Sequence, residues 1–211
     1  MTDVLPGRRE RKKEETKRKI FEAATKLFAR KGFEATTIED IAAAADVSKG
    51  TFFNYFPKKE AIIRYLFEEW TDIAEGIAAD RNHSAEERII EMFAAGAAVF
   101  GEQPELARTV ARFALQEMCS PAPELIDTHR HHHQLFDAVW TQGVASGEFR
   151  ADLDIMWVRS VFGAVFVGSV TWWVGCADCV VQPDPLNVPL ADVIRSNLRM
   201  ILEGLGVKKA V

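Results

Sequence analysis

Apolar positions recur at helical spacing almost from end to end of this 211-residue chain. Ile20, Ala23, Ala24, Leu27 and Phe28 follow the i, i+3, i+4, i+7, i+8 rhythm of one buried face, and Gly32 stands where such a helix would close on a left-handed C-cap. Ile38, Ile41, Ala42 and Ala45 repeat the rhythm over a shorter stretch, opened by Thr37 as N-cap with Asp40 in the N3 place of a capping box. Asp46 and Val47 make a turn, Ser48 is a second N-cap, and Pro57 limits the next helix to one or two turns because it cannot donate to a continuing one. Ala61, Ile62, Tyr65, Leu66 and Trp70 carry a further stripe. Ser84 with Glu87 opens a helix that reaches about Phe100, and Pro104 starts one bearing Leu106, Val110, Phe113 and Met118. Residues 124–145 are helical by pattern and stop at Gly147. Two more helices are expected near 154–177 and 190–205, parted by Pro183, Pro185 and Pro189. No alternating run suggests a strand, so the pattern predicts an all-α protein.

Residues 36–60 therefore fit two short helices joined by a tight turn, directly after a basic amphipathic helix. That is the outline of a helix-turn-helix DNA-binding head. The run from Gly32 and Phe33 through Thr36, Thr37, Ile41, Ala42, Val47, Ser48, Gly50, Thr51 and Phe56 to Lys59 and Glu60 resembles the TetR family of bacterial transcriptional regulators. The resemblance covers roughly a quarter of the chain. It implies a three-helix head, residues 1–60 with a basic N-terminal tail, joined to a helical effector-binding and dimerisation domain, residues 61–211. Phe53 and Tyr55 depart from it, since the family commonly has Tyr and His at these two places, and Lys58 occupies a position where a small capping residue is common.

Charge is divided along the same line. Residues 1–60 hold 14 Lys and Arg against 10 Asp and Glu, whereas the remainder holds 12 against 21, so a chain of net charge −5 carries its basic surface only at the head. Arg8, Arg9, Arg11, Lys12, Lys13, Lys17, Arg18 and Lys19 crowd its first segment, where a polyanion could displace counterions. A helix in the major groove reads bases through residues near its N-terminus, which nominates Lys49, Thr51, Phe52 and Asn54, with Ser48 and Gly50 shaping the approach. By their places in the family, Thr36, Thr37, Tyr55 and Lys59 are expected at phosphates. Phe53 and Phe56 are expected to pack inside the head.

In the second part, His129, Arg130, His131, His132 and His133 form the most unusual local run. Helical spacing puts His129 and His133 in line with Ile126, Phe136 and Trp140, and turns His131 outward. The two inward histidines can pack in the core, anchor a ligand or share a metal. The ligand chamber implied by the resemblance would draw on Phe93, Phe113, Met118, His129, His133, Phe136, Trp140 and Trp172. Cys176 and Cys179 have the spacing of a redox or zinc pair without a second pair, and two small helix-end residues explain them equally. Three cysteines and no secretory leader indicate the cytoplasm. Residues 160–177 are uncharged for long enough to reach the lower limit of a membrane span, and a subunit interface explains that run more simply.

Gly-x-Ser-x-Gly, His-Glu-x-x-His and a phosphate-binding Gly-Lys loop are all absent, which argues against an enzyme, and no cofactor is expected. The expectation is a homodimeric one-component regulator, a repressor that binds a pseudo-palindromic operator and is released by a small molecule with an apolar body and one polar group. The competing reading is a redox- or metal-responsive regulator that differs only in its signal.

Overall fold

The computed structural model describes residues 7–101, 103–119, 126–175 and 188–205. Among them the chain forms α1 (Arg8–Lys31), α2 (Ile38–Ala44), α3 (Lys49–Tyr55), α4 (Glu60–Ala79), α5 (Ala85–Ala98), α6 (Pro104–Cys119), α7 (Ile126–Ala145), α8 (Ile155–Trp173) and α9 (Leu190–Leu205). It divides into two compact units between Tyr65 and Leu66, within α4.

The first unit is built on caps and aromatic packing. Helix α1 begins well before its apolar stripe, so Arg8 to Lys13 are helical; the Gly7 N–H donates to Glu10 Oε2 (2.9 Å), and i,i+4 pairs Glu15–Lys19 and Arg18–Glu22 lie along its solvated face. Its inward face buries Ile20, Ala24 and Phe28. At Thr37 the capping box closes as the pattern predicts, with Asp40 N–H donating to Thr37 Oγ1 and Thr37 N–H to Asp40 Oδ2. Between α2 and α3, Asp46 sits in the left-handed region (φ 54°). Val47 N–H reaches Ala42 O (2.9 Å) and Asp46 N–H reaches Ala43 O (3.2 Å), which is the paired bonding of a Schellman motif. This turn aims α3 away from α2 and explains why an Asp, which tolerates positive φ better than most side chains, stands there. Phe28, Phe33, Phe52 and Phe56 fill the space between, with Phe28 and Phe33 ring centroids 4.9 Å apart.

The second unit packs α5 chiefly against α9 and α7, with α8 against α9 and α6. Ser84 and Glu87 cap α5 reciprocally. Leu190, Ile194, Leu198 and Leu202 give α9 a strict i+4 stripe that is almost wholly buried. Arg195 on its flank binds Glu91 of α5 through two bonds, Nε to Oε1 (2.7 Å) and Nη2 to Oε2 (2.8 Å). Helix α8 differs from the rest because it is apolar on both sides. Val158, Phe162, Phe166, Val170 and Trp173 face inward, while Met156, Trp157, Val161 and Trp172 remain exposed, Trp157 by 75%. It is long and apolar enough to cross a membrane by length and composition alone, but its inner face is spent on the core of this unit.

Candidate functional site

In the first unit, α3 carries a mixed surface. Ser48 accepts from Thr51 N–H (3.0 Å) and so fixes the start of the helix, leaving Lys49, Gly50 and Asn54 exposed and Thr51 and Tyr55 half-buried. The two neighbouring phenylalanines exchange their expected places. Phe52 is completely buried and cannot reach a base edge, because it stands one turn before Phe56 and the two rings pack together (6.0 Å); Phe53, turned about 100° away, is 43% exposed.

Two expected phosphate contacts are also committed elsewhere. Thr36 is buried, with its hydroxyl donating to Gly32 O (2.7 Å). Lys59 Nζ donates to the carbonyls of Phe33 (2.6 Å) and Thr36 (3.0 Å) and lies 4.2 Å above the Phe33 ring, so it ties down the loop between α1 and α2. Spacing could not show this, because the partners are backbone atoms more than twenty residues away. Thr37 is exposed at the start of α2, where its hydroxyl is shared with Asp40. Lys31 (2.6 Å) and then the Thr37 hydroxyl and amide hold the Asp40 carboxyl well below its ordinary range. Lys49 pairs with Glu39 of α2 and lowers that carboxyl in the same way.

The second unit contains a cavity of ≈ 170 Å³ between α4, α5, α6, α7 and α8. Its apolar walls include Phe67, Trp70 and Ala74 of α4, Phe93 of α5, Ala114 of α6, Phe136 of α7 and Phe166 of α8. Trp70 stacks on Phe166 (5.1 Å, 25°) and donates its Nε1–H to Met92 O (2.7 Å). It can lie there only because residue 96 is glycine, since a Cβ on Gly96 would overlap the indole. His132, His133 and Arg159 supply the polar part of the lining.

Of the residues expected to line a chamber, Phe93, His133 and Phe136 do so. Trp140 lies behind, stacked between Phe136 (6.1 Å) and Phe149 (4.3 Å). Phe113 is half-buried on α6 and not part of the wall, and Trp172 is on the exposed side of α8. The side chains of Met118 and His129 lie outside the described residues, as do Cys176 and Cys179. Of the histidine run, His133 at the cavity and His131 outward stand as expected, and His132 is added to the cavity side. His132 and His133 stand four and three residues before Phe136, so both flank its stripe; His132 Nε2 meets Thr71 Oγ1 (3.1 Å) and its ring lies 4.9 Å from Trp70. His131 points outward to Glu75. Among the described residues, no three His, Cys, Asp or Glu side chains gather as a metal ion would require.

Arg159 is the residue the sequence reading missed, although a signal existed. It is the only charged residue between Ile155 and Trp173.

Residues 20–66 match the profile of bacterial regulatory proteins of the tetR family. The HTH-type transcriptional repressor KstR2 of Mycobacterium tuberculosis is 25% identical over 166 residues, covering 72% of this chain and 76% of that protein. The transcriptional regulator FadR of Bacillus subtilis, solved in complex with stearoyl-CoA, has a TM-score of 0.70 at 22% identity, over 89% of this chain and 98% of that one; at this identity the likeness carries the fold alone. FadR of Thermus thermophilus, a TetR-family transcriptional repressor solved with lauroyl-CoA, has a TM-score of 0.58 at 26% identity, over 92% and 97%.

Proposed function

We propose that the chain, whose residues 20–66 match the profile of the tetR family of bacterial regulatory proteins, is a TetR-like one-component transcriptional repressor, binding a pseudo-palindromic operator as a cytoplasmic homodimer and released by an amphipathic small molecule held in the α4–α8 cavity. The observation that carries this reading is the cavity's use of α4. Phe67, Trp70 and Ala74 of that helix form one wall, and the same helix begins at Glu60, directly after α3 and Pro57. A ligand pressing on this wall acts on the element that leads back to the recognition helix. Release then needs only a differential affinity for two arrangements of α4, and a coupling of about 1–3 kcal/mol gives a roughly 5- to 150-fold response.

The residues proposed to meet DNA are Thr37, Ser48, Lys49, Gly50, Thr51, Asn54 and Tyr55, joined by Phe53, whose exposed ring suits a thymine methyl. Pairing through α8 and α9 would cover Trp157, Val161 and Trp172, and would set two recognition helices about 34 Å apart for one face of the duplex. FadR of Thermus thermophilus, solved with lauroyl-CoA, binds a long apolar chain, and the aromatic lining here suits a body of that kind.

Selection of bound fragments from genomic DNA, followed by titration with lauroyl-CoA, tests the reading. We expect one palindromic fragment to be enriched, tryptophan fluorescence to be quenched and the fragment to be released. Failure to enrich any fragment would sink the regulator reading; enrichment without release by any apolar ligand would sink the cavity's part in it.

A further inference from the structure

We propose that Arg159 is the anchor for a carboxylate on the apolar ligand of this cavity, and that Asp137 is the carboxylate that competes for it. The proposal rests on the reading of the cavity as the effector site. Arg159 is a lone cation in an otherwise uncharged helix, and its side chain, only 17% exposed, lines a cavity whose other walls are apolar except for His132 and His133. A buried guanidinium is costly unless paired. Here the pairing is half made: Nη1 donates to Asp137 Oδ2 (2.9 Å), while Nη2 is held by the Met156 thioether, a weak acceptor. Asp137 is left with Oδ1 buried and without a partner among the described residues.

Guanidinium and carboxylate favour a two-point fork, and the single-point contact to Asp137 leaves the Nη2 edge for a better acceptor. A ligand carboxylate can use it. An alcohol offers one neutral oxygen and gains little. Because Arg159 lines the cavity itself, the anion it selects is attached directly to the apolar body. His132, bonded to Thr71 and tilted against Trp70, borders the same space, and Trp70 reports occupancy.

Tryptophan quenching with decanoate, 1-decanol and decanoyl-CoA on the full-length chain tests this. Decanoate should bind roughly ten- to a hundredfold more tightly than decanol. Arg159→Gln should remove that preference, Arg159→Lys, which keeps the charge and loses the fork, should keep a part of it, and Asp137→Asn should increase it by removing the competitor. Decanoyl-CoA, whose acyl end is an uncharged thioester, should be indifferent to Arg159→Gln. Equal affinity for acid and alcohol, a preference that survives Arg159→Gln, or an equal loss for decanoyl-CoA overturns the carboxylate assignment and leaves the cavity as effector site. If none of the three compounds binds, the cavity reading falls, and this proposal with it.

Discussion

Two polar residues of the first unit, Lys59 and Asn54, illustrate how position in sequence and role in structure separate. Lys59 holds loop carbonyls, whereas Asn54 projects from α3 with no such duty. Lys59→Ala should therefore lower the stability of the head by about 1–3 kcal/mol in chemical denaturation, because part-buried carbonyls lose a charged donor. Asn54→Ala should leave stability unchanged and relax operator specificity, costing about 1–3 kcal/mol if the amide reads an adenine. Mobility shifts on selected and random duplexes separate the two, and equal loss on both duplexes for Asn54→Ala would remove it from base reading. Asp46 belongs to the same scale. With φ at 54°, Asp46→Val should destabilise the turn by about 1–2 kcal/mol, measurable as a lower melting temperature; an unchanged melt would mean the turn can rearrange.

Among the elements, caps and stripes were legible in advance because their causes are local. Thr37 with Asp40, Ser84 with Glu87 and the Gly32 stop all act within a turn or two of chain. The inward place of His132 on α7 was not, since one residue's difference moves a side chain by about 100° and only packing against Thr71 and Trp70 fixes which histidines turn in. The Phe52 and Phe53 exchange has the same cause on a shorter helix. The α5–α9 clasp was equally invisible, as its partners are 104 residues apart. Arg195 holds the Glu91 carboxyl below its ordinary value of 4.5, against the opposing pull of partial burial. A lowered folded value means the pair stabilises fully above that ordinary value and is lost as pH falls through the folded one. Denaturation between neutral pH and pH ~3 should accordingly show a steeper acid decline in the parent than in Glu91→Gln, which is less stable at neutrality. Parallel curves would show that the clasp contributes nothing.

For the whole molecule, the proposed pairing rests on α8. Its inner face is fixed in the core and its outer face offers Trp157, Val161 and Trp172. Val167 lines the cavity, so a charge there would test the ligand rather than the interface. Val161→Arg is the better probe: it should give monomers in sedimentation and abolish operator binding, since one head makes half the contacts. A Val161→Arg protein that remains dimeric would place the interface elsewhere. The seat of Trp70 on Gly96 has a different kind of consequence, one for descent. Neither residue can drift alone: a side chain at 96 evicts the indole, and a smaller residue at 70 leaves a void over a glycine. The pair is therefore inherited as one unit, and a lineage acquiring a new effector would be channelled into varying other walls of the cavity, Ala74, Ala114 and Gly163 among them.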